Sequence, residues 1–269
     1  DVLCTDKTGT LTEARVTLVA HPNALGVDSA RVLELAALNS AFASGVRSPL
    51  DDAILAKVPA GIAVEWTKVA ELPFDFERRR VSVLVNRFNG TQHIITKGAP
   101  EVLLALSSRI ELADGSVHEL TQLQRARLVA MLEAFAEQGQ RALAVARRTV
   151  CHKPVSLRAE DERDLVFAGY CVFADPPKNS AAEALSRLAA SGVRTKIISG
   201  DHPLVVRHLI CSLGIPAQGQ LNGSELDALN DHALAAAVEQ TDIFSRVAPD
   251  QKSRIVRALQ SRGHTVGFL

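Results

Sequence analysis

Val2-Leu3-Cys4-Thr5-Asp6-Lys7-Thr8-Gly9-Thr10 is an apolar run of strand length that breaks into a turn rich in Thr and Gly. The same pattern returns past Asp175. There Ser180-Ala181-Ala182-Glu183 reads as a capping box opening a helix that Gly192 closes. Val193 to Ser199 reads as a strand ending at Gly200-Asp201, and Pro203 suits the first turn of a helix closed by Gly214. Asp242-Ile243-Phe244 is a further short strand, followed by a helix from near Pro249 to Gly263 and a last strand, Thr265-Val266-Gly267-Phe268-Leu269. Strands alternating with helices of this length predict an α/β domain with a parallel sheet and helices on both faces.

Between about Ala14 and Val172 the signals are mixed. Helices are expected around Ser29 to Asn39 and Asp51 to Lys57, and a hairpin joins Val81 to Phe88 with Thr91 to Thr96 around Asn89-Gly90. A helix follows from Thr121, which makes a capping box with Gln124, to Gly139, and strands occupy Ala142 to Arg147 and Leu165 to Val172. This predicts an α+β module with an antiparallel sheet, inserted after the first strand of the α/β domain. The expected boundaries are 1–14 and 173–269 for the α/β domain and 15–172 for the insert, with short crossings near residues 13–16 and 172–176.

The 30 Lys and Arg against 30 Asp and Glu leave no net charge, which argues against a general nucleic-acid binder. The longest apolar stretch, Leu165 to Ala174, falls well short of the roughly 20 residues a membrane-crossing helix needs. Cys4, Cys151, Cys171 and Cys211 are far apart, with neither CxxC nor HExxH spacing, so reduced core thiols are expected rather than a zinc site or disulfide framework. The chain opens and closes inside apolar strands with no polar tail and no signal peptide, which predicts a segment of a longer polypeptide.

In a parallel α/β sheet, function collects at the carboxyl ends of the strands. Asp6-Lys7-Thr8-Gly9-Thr10, Ser199-Gly200-Asp201 and the helix carrying Lys252 all fall at such ends. Together they offer a carboxylate nucleophile, hydroxyl and backbone donors, and an ammonium, the set that receives a phosphoryl group. An Asp before Lys-Thr-Gly alone is often only a turn. The joint placement is what carries the reading.

Asp6-Lys7-Thr8-Gly9-Thr10-Leu11-Thr12 resembles the signature of the P-type ion-pumping ATPases, whose phosphorylation domain has the Rossmann-like fold of the haloacid dehalogenase superfamily. Lys97-Gly98-Ala99-Pro100-Glu101, Asp175-Pro176-Pro177-Lys178, Ser199-Gly200-Asp201 and Val247-Ala248-Pro249-Asp250-Gln251-Lys252 follow in that family's order, so the resemblance covers essentially the whole chain. It implies that Asp6 attacks the γ-phosphate of ATP, within a catalytic set that includes Lys7, Thr8, Ser199, Asp201 and Lys252. Thr8 would offer its backbone carbonyl to Mg²⁺ beside an Asp6 oxygen, Ser199 would hold a phosphate oxygen, and Lys252 would neutralise charge.

The inserted module then corresponds to the ATP-binding domain. Neither a GxxxxGK[ST] loop nor a GxGxxG fingerprint is present, so stacking and surrounding charge must recognise the base. The resemblance implies that Phe74 stacks on adenine, with Lys97 and Gly98 deeper in the pocket, Asp51 near the adenine amino group, Arg79 at the pocket and Arg141 reaching the phosphates. Arg78 and Arg80 also fit a solvated turn, and Glu101 a helix start. Asp175 and Lys178 would form the hinge between domains.

The run Pro73 to Val83 most resembles the bacterial magnesium-translocating pumps, with calcium-type pumps the alternative. The expected partners are ATP and the membrane and actuator domains of the same parent chain, in a bacterial inner membrane. The family's Gly-Asp-Gly-x-Asn-Asp motif normally follows a strand like Val266 to Leu269, so without it ATP binding with poor autophosphorylation is expected. Thr8 replaces the acid/base Asp common in soluble phosphatases of the superfamily, which disfavours that class. The intact Asp6 to Thr12 run disfavours a purely nucleotide-sensing module.

Overall fold

A computed structural model describes residues 1–45, 47–150 and 154–269; Cys151, one of the expected thiols, lies outside the described residues. The chain forms two compact units, Asp1–Arg15 with Ala136–Arg141 and Asp175–Leu269, and Val16–Phe135 with Ala142–Ala174.

The first unit holds a five-stranded sheet in the order Gln220–Asn222, Ile243–Ser245, Arg194–Ile198, Val2–Asp6, Val266–Phe268, with every pairing parallel. The register sets Asp6 beside Ile198 and Ile198 beside Phe244, so three strands end at one edge. Successive side chains of a strand face opposite ways. Ile198 packs with Cys4, Phe244 and Leu259, whereas Ile197 packs with Leu185, Val206 and Ile210, and helices cover both faces as the alternating pattern predicts.

Pro203–Ser212 and Pro249–Ser261 begin on proline, and Gly214 and Gly263 lie just beyond their ends with φ of 65° and 92°. The capping box expected at Ser180 is absent. Ser180 precedes helix Ala181–Ala190 with φ −81° and ψ −11° and makes no side-chain cap bond, because a turn from Lys178 O to Ala181 N has already closed there. A capping side chain needs extended backbone.

The second unit holds strands Trp66–Asp75, Arg80–Arg87, Gln92–Gly98, Arg141–Val150, Leu165–Ala174, Ser107–Glu111 and Val117–Glu119 in that sheet order, with Thr17–Ala20 also pairing Leu165–Ala174. The sheet is mixed rather than wholly antiparallel: Ser107–Glu111 runs parallel to Leu165–Ala174. The long crossover that a parallel pair requires contains helix Gln122–Glu137. Helix Ala30–Phe42 buries Leu35 and Leu38 with Val83, Val85, Ile95 and Phe173, while Leu103, Leu128, Phe167 and Tyr170 form a separate cluster.

Local signals hold here. Thr121 and Gln124 form the reciprocal capping bonds at 2.8 and 3.3 Å, and Gly90 turns the hairpin at φ 83°. Strand Trp66–Asp75 is not among the expected elements; it contains Pro73 and lies at the sheet edge, where proline is tolerated. Its register slips between Leu72 and Asp75, and a bulge there re-aims side chains, leaving Phe74 58% exposed.

Burial pushes the Cys4 and Cys171 thiols up to about 11 and about 12, as befits core cysteines, but Cys211 is exposed rather than in a core. Among the described residues no helix is long and apolar enough to cross a membrane.

The central strand also fixes a packing limit. A Cβ on Gly169 would lie 2.2 Å from Pro22 O and 2.7 Å from Val32 Cγ2. Gly169→Ala is expected to lower unfolding stability by about 1–3 kcal/mol, the usual range for overpacking a core. A denaturant midpoint equal to that of the parent chain would show that the Pro22 segment yields instead.

Candidate functional site

In the first unit, Asp6 ends its strand and turns the chain into Lys7–Leu11, a wide turn closed by Thr12 N donating to Lys7 O at 3.2 Å. Thr8 sits exposed in that turn, and Gly9 takes the positive φ of 80° that the bend needs. Asp6 Oδ1 accepts from Lys7 N at 2.7 Å, and Lys252 Nζ lies 2.5 Å from Asp6 Oδ2. The Lys7 side chain is turned elsewhere, its ammonium 2.7 Å from Asp201 Oδ2 with both groups buried.

Ser199 is buried, and its Oγ accepts from Asp201 N at 3.1 Å, leaving its O–H available to donate. Arg141, the first residue of strand Arg141–Val150, groups with this unit although the rest of its strand groups with the second; its Nε is 3.2 Å from Asp201 Oδ1, so one carboxylate faces two cations. Asp175 accepts from Thr12 Oγ1 at 2.6 Å, and Lys178 Nζ donates to Gly9 O at 2.6 Å. Both residues assigned to a hinge therefore clamp the Asp6 turn itself.

In the second unit, Lys97 is buried on strand Gln92–Gly98 and donates to Ser40 Oγ and Asp51 Oδ1. Asp51 also accepts from Ser40 Oγ at 2.8 Å, Ser48 Oγ at 2.7 Å and Ser48 N at 3.2 Å, completing a capping box on helix Pro49–Leu55. Burial would raise the Asp51 carboxyl, but the charge and hydrogen bond of Lys97 outweigh it and hold it at about 2. Burial also pushes the Lys97 ammonium down, against the pull of Asp51.

Phe74 and Phe76 meet edge to face, with ring centroids 5.3 Å apart, and both stand largely in solvent. Arg79 holds φ 52° in the turn that follows and pairs with Glu101 Oε1 at 2.7 Å. Gly98 lies directly under that turn: a Cβ would come within 2.6 Å of Arg79 O. Arg78 and Arg80 are not a solvated pair. Both turn inward onto Glu162, which is buried and which sequence reasoning did not single out.

Chemically, the first site presents a partly exposed carboxylate with an adjacent ammonium at a sheet edge, an arrangement suited to accepting an electrophilic group whose charge needs neutralising. The second presents exposed aromatic faces beside fixed cations, which suits a planar base carrying anionic groups. Asp6 and the Thr8 carbonyl are hard oxygen donors, and among the described residues no cluster of three His, Cys, Asp or Glu is placed to hold a metal. That set fits Mg²⁺, which keeps several waters and binds through one or two carboxylates plus phosphate oxygens.

A family model described as P-type ATPase, cytoplasmic domain N, matches residues 9–180, and the chain belongs to that family. It is 42% identical over its whole length to Magnesium-transporting ATPase, P-type 1, of Salmonella typhimurium strain LT2, and 37% identical to the protein of that name from Escherichia coli K12. Calcium-transporting ATPase 1 of Lactococcus lactis is 31% identical over 97% of the chain. The chain spans about 30% of the length of the two magnesium-transporting relatives.

The Asp51–Lys97 pair makes the second unit sensitive to acid. Since the Asp51 pKa is lowered from 3.8 to about 2 on folding, its contribution is present above about pH 4 and is lost as pH falls through 2. Asp51→Asn is expected to remove that part of the acid slope and to lower stability at pH 7 by about 3 kcal/mol, because Lys97 stays buried opposite a neutral amide. Denaturant unfolding across pH 2–7 measures both effects, and an unchanged acid slope would acquit the pair.

Proposed function

We propose that this chain is the ATP-binding and phosphorylation part of a P-type pump that couples ATP hydrolysis to cation transport through a phosphoaspartate. In this reading residues 1–14 and 173–269 form the phosphorylation domain and 15–172 the nucleotide-binding domain. The observation that carries it is the partly exposed Asp6 carboxylate at the parallel sheet edge, with Lys252 Nζ 2.5 Å away.

Asp6 would attack the γ-phosphorus, forming an Asp6 oxygen–phosphorus bond as the bond to the β-phosphate oxygen breaks and ADP leaves. Lys252 would offset charge shared by Asp6 and the phosphoryl group, and the Ser199 hydroxyl would donate to a phosphate oxygen. Asp6 and the Thr8 carbonyl would hold Mg²⁺, which would supply further charge neutralisation on the phosphates. Lys7, Asp201 and Arg141 would hold the two strand-end loops together, and Arg141 would turn to the phosphates when nucleotide arrives. The Thr8 hydroxyl cannot act as a carboxyl-type acid/base, so the acyl phosphate would persist long enough to drive a conformational change. Asp175 and Lys178 would couple that change to the return crossing.

Phe74 would stack on adenine, with Lys97 and Gly98 beneath and Arg79 at the rim. The transported cation is Mg²⁺, by similarity to relatives named for magnesium transport. The pump would sit in a bacterial inner membrane, with membrane and actuator domains in the same polypeptide.

Phe74→Ala is expected to weaken ATP binding by about tenfold to a hundredfold, the range in which removing a base-stacking ring falls. Calorimetric titration of the folded variant checks it, and an unchanged affinity would remove Phe74 from the pocket. In membranes carrying a full-length pump with this sequence, γ-labelled ATP should leave an acid-stable, hydroxylamine-sensitive label. Asp6→Asn should abolish that label; its persistence would put the acceptor elsewhere.

A further inference from the structure

Resting on the assignment of Phe74 to the adenine, we propose that Glu162 is the positioning residue of the nucleotide pocket, anchoring the turn that presents the ring. Its side chain is fully shielded from water. Oε1 accepts from Arg78 at 2.9 Å and from Ser82 Oγ at 2.6 Å, while Oε2 accepts from Arg80 Nε at 2.7 Å and pairs with its other guanidinium nitrogen at 2.6 Å.

The two guanidiniums then reach back to the turn. Arg78 donates to Pro73 O at 2.5 Å, the carbonyl immediately before Phe74, and Arg80 donates to Arg78 O at 3.0 Å. Planar guanidinium groups can bind a carboxylate and a carbonyl at once, which a lysine ammonium on the same stem does less rigidly. Inside the turn, Asp75 Oδ1 accepts from the backbone of Glu77 and Arg78 at 2.8 Å each. The turn thus has one internal cap and is held from outside on its Arg79 side by Glu101 and by Ala99 N donating to Arg79 O at 2.9 Å, and on its Phe74 side through Glu162.

The anchor is itself fixed. Arg148 donates to Asp161 O at 2.9 Å and Arg163 O at 3.2 Å, tying both neighbours of Glu162 to strand Arg141–Val150. Without the Glu162 charge, the two guanidiniums would keep only the exposed Asp75 carboxylate as a nearby counter-charge, and the turn would separate to let water reach them. Phe74 and Arg79 lie on that turn, so the loss appears as nucleotide affinity and not only as stability.

The experiment is a double-mutant cycle read by calorimetric titration of ATP into the 269-residue chain, each variant first checked as folded by thermal unfolding. Glu162→Gln is expected to weaken ATP about tenfold when Phe74 is present, a share of what the ring supplies. In the Phe74→Ala background the same change should move affinity by less than about twofold, within additivity error. An equal loss in both backgrounds overturns the proposal, because Glu162 would then act on folding or on another part of the pocket. An affinity insensitive to Phe74→Ala overturns the adenine assignment first and this inference with it. Should Glu162→Gln not fold, Arg78→Lys carries the same cycle, since it keeps a charge on Glu162 but loses the double reach to Pro73 O, and the same pair of outcomes decides.

Discussion

The ion pair between Lys7 and Asp201, 2.7 Å apart and shut away from water, holds the reactive edge of the parallel sheet in shape. A lysine brought into a low-dielectric interior is tolerated only with a well-placed counterion, so the two loops bearing this pair cannot drift independently. Lys7 follows Asp6 and Asp201 lies two residues beyond Ser199, so the pair also sets the separation of carboxylate and hydroxyl. Thr12 to Asp175 and Lys178 to Gly9 O close the remaining side of the same turn.

Exposure separates two ion pairs that look alike in sequence. The Lys7 and Asp201 side chains are 3% and 9% exposed, whereas those of Lys252 and Asp6 are 24% and 34% exposed. A buried pair is a fixed strut whose opening leaves an uncompensated charge. A half-exposed pair can open to an incoming anion, because water stabilises both groups while they are apart. Of these four charged residues, Asp6 and Lys252 are thus the ones that solvent, and with it a dissolved anion, can reach.

What was legible in the sequence follows the range of each signal. Pro203, Pro249, Gly214, Gly263 and the Thr121 to Gln124 box act within a turn of their own chain, and each does what its local chemistry dictates. Ser180 fails for a reason sequence does not carry, the turn at Lys178 that closes ahead of it. Strand Trp66–Asp75 carries a proline, which only an edge strand tolerates, and edge position depends on which strands pair. Sequence left open a solvated turn for Arg78 and Arg80 because their partner, Glu162, is more than 80 residues away and gives no local sign of its burial. That the motif residues of the parallel domain fall at strand ends was legible, but which of them pair with each other was not.

Asp51 shows how pairing changes the meaning of a residue chosen for its type. A carboxylate offers about four acceptor positions. On Asp51, one oxygen takes Lys97 and Ser40, and the other takes the side chain and backbone of Ser48. An adenine amino group approaching this carboxylate would have to displace one of those donors, and displacing Lys97 would leave a buried ammonium without its counterion. On the proposed reading, lower in energy is a division of labour in which Asp51 holds Lys97 and caps helix Pro49–Leu55, while the base would meet the exposed ring of Phe74. Stacking would ask nothing of the buried network, so a ligand bound in the proposed way would leave closed a pair that the fold itself requires.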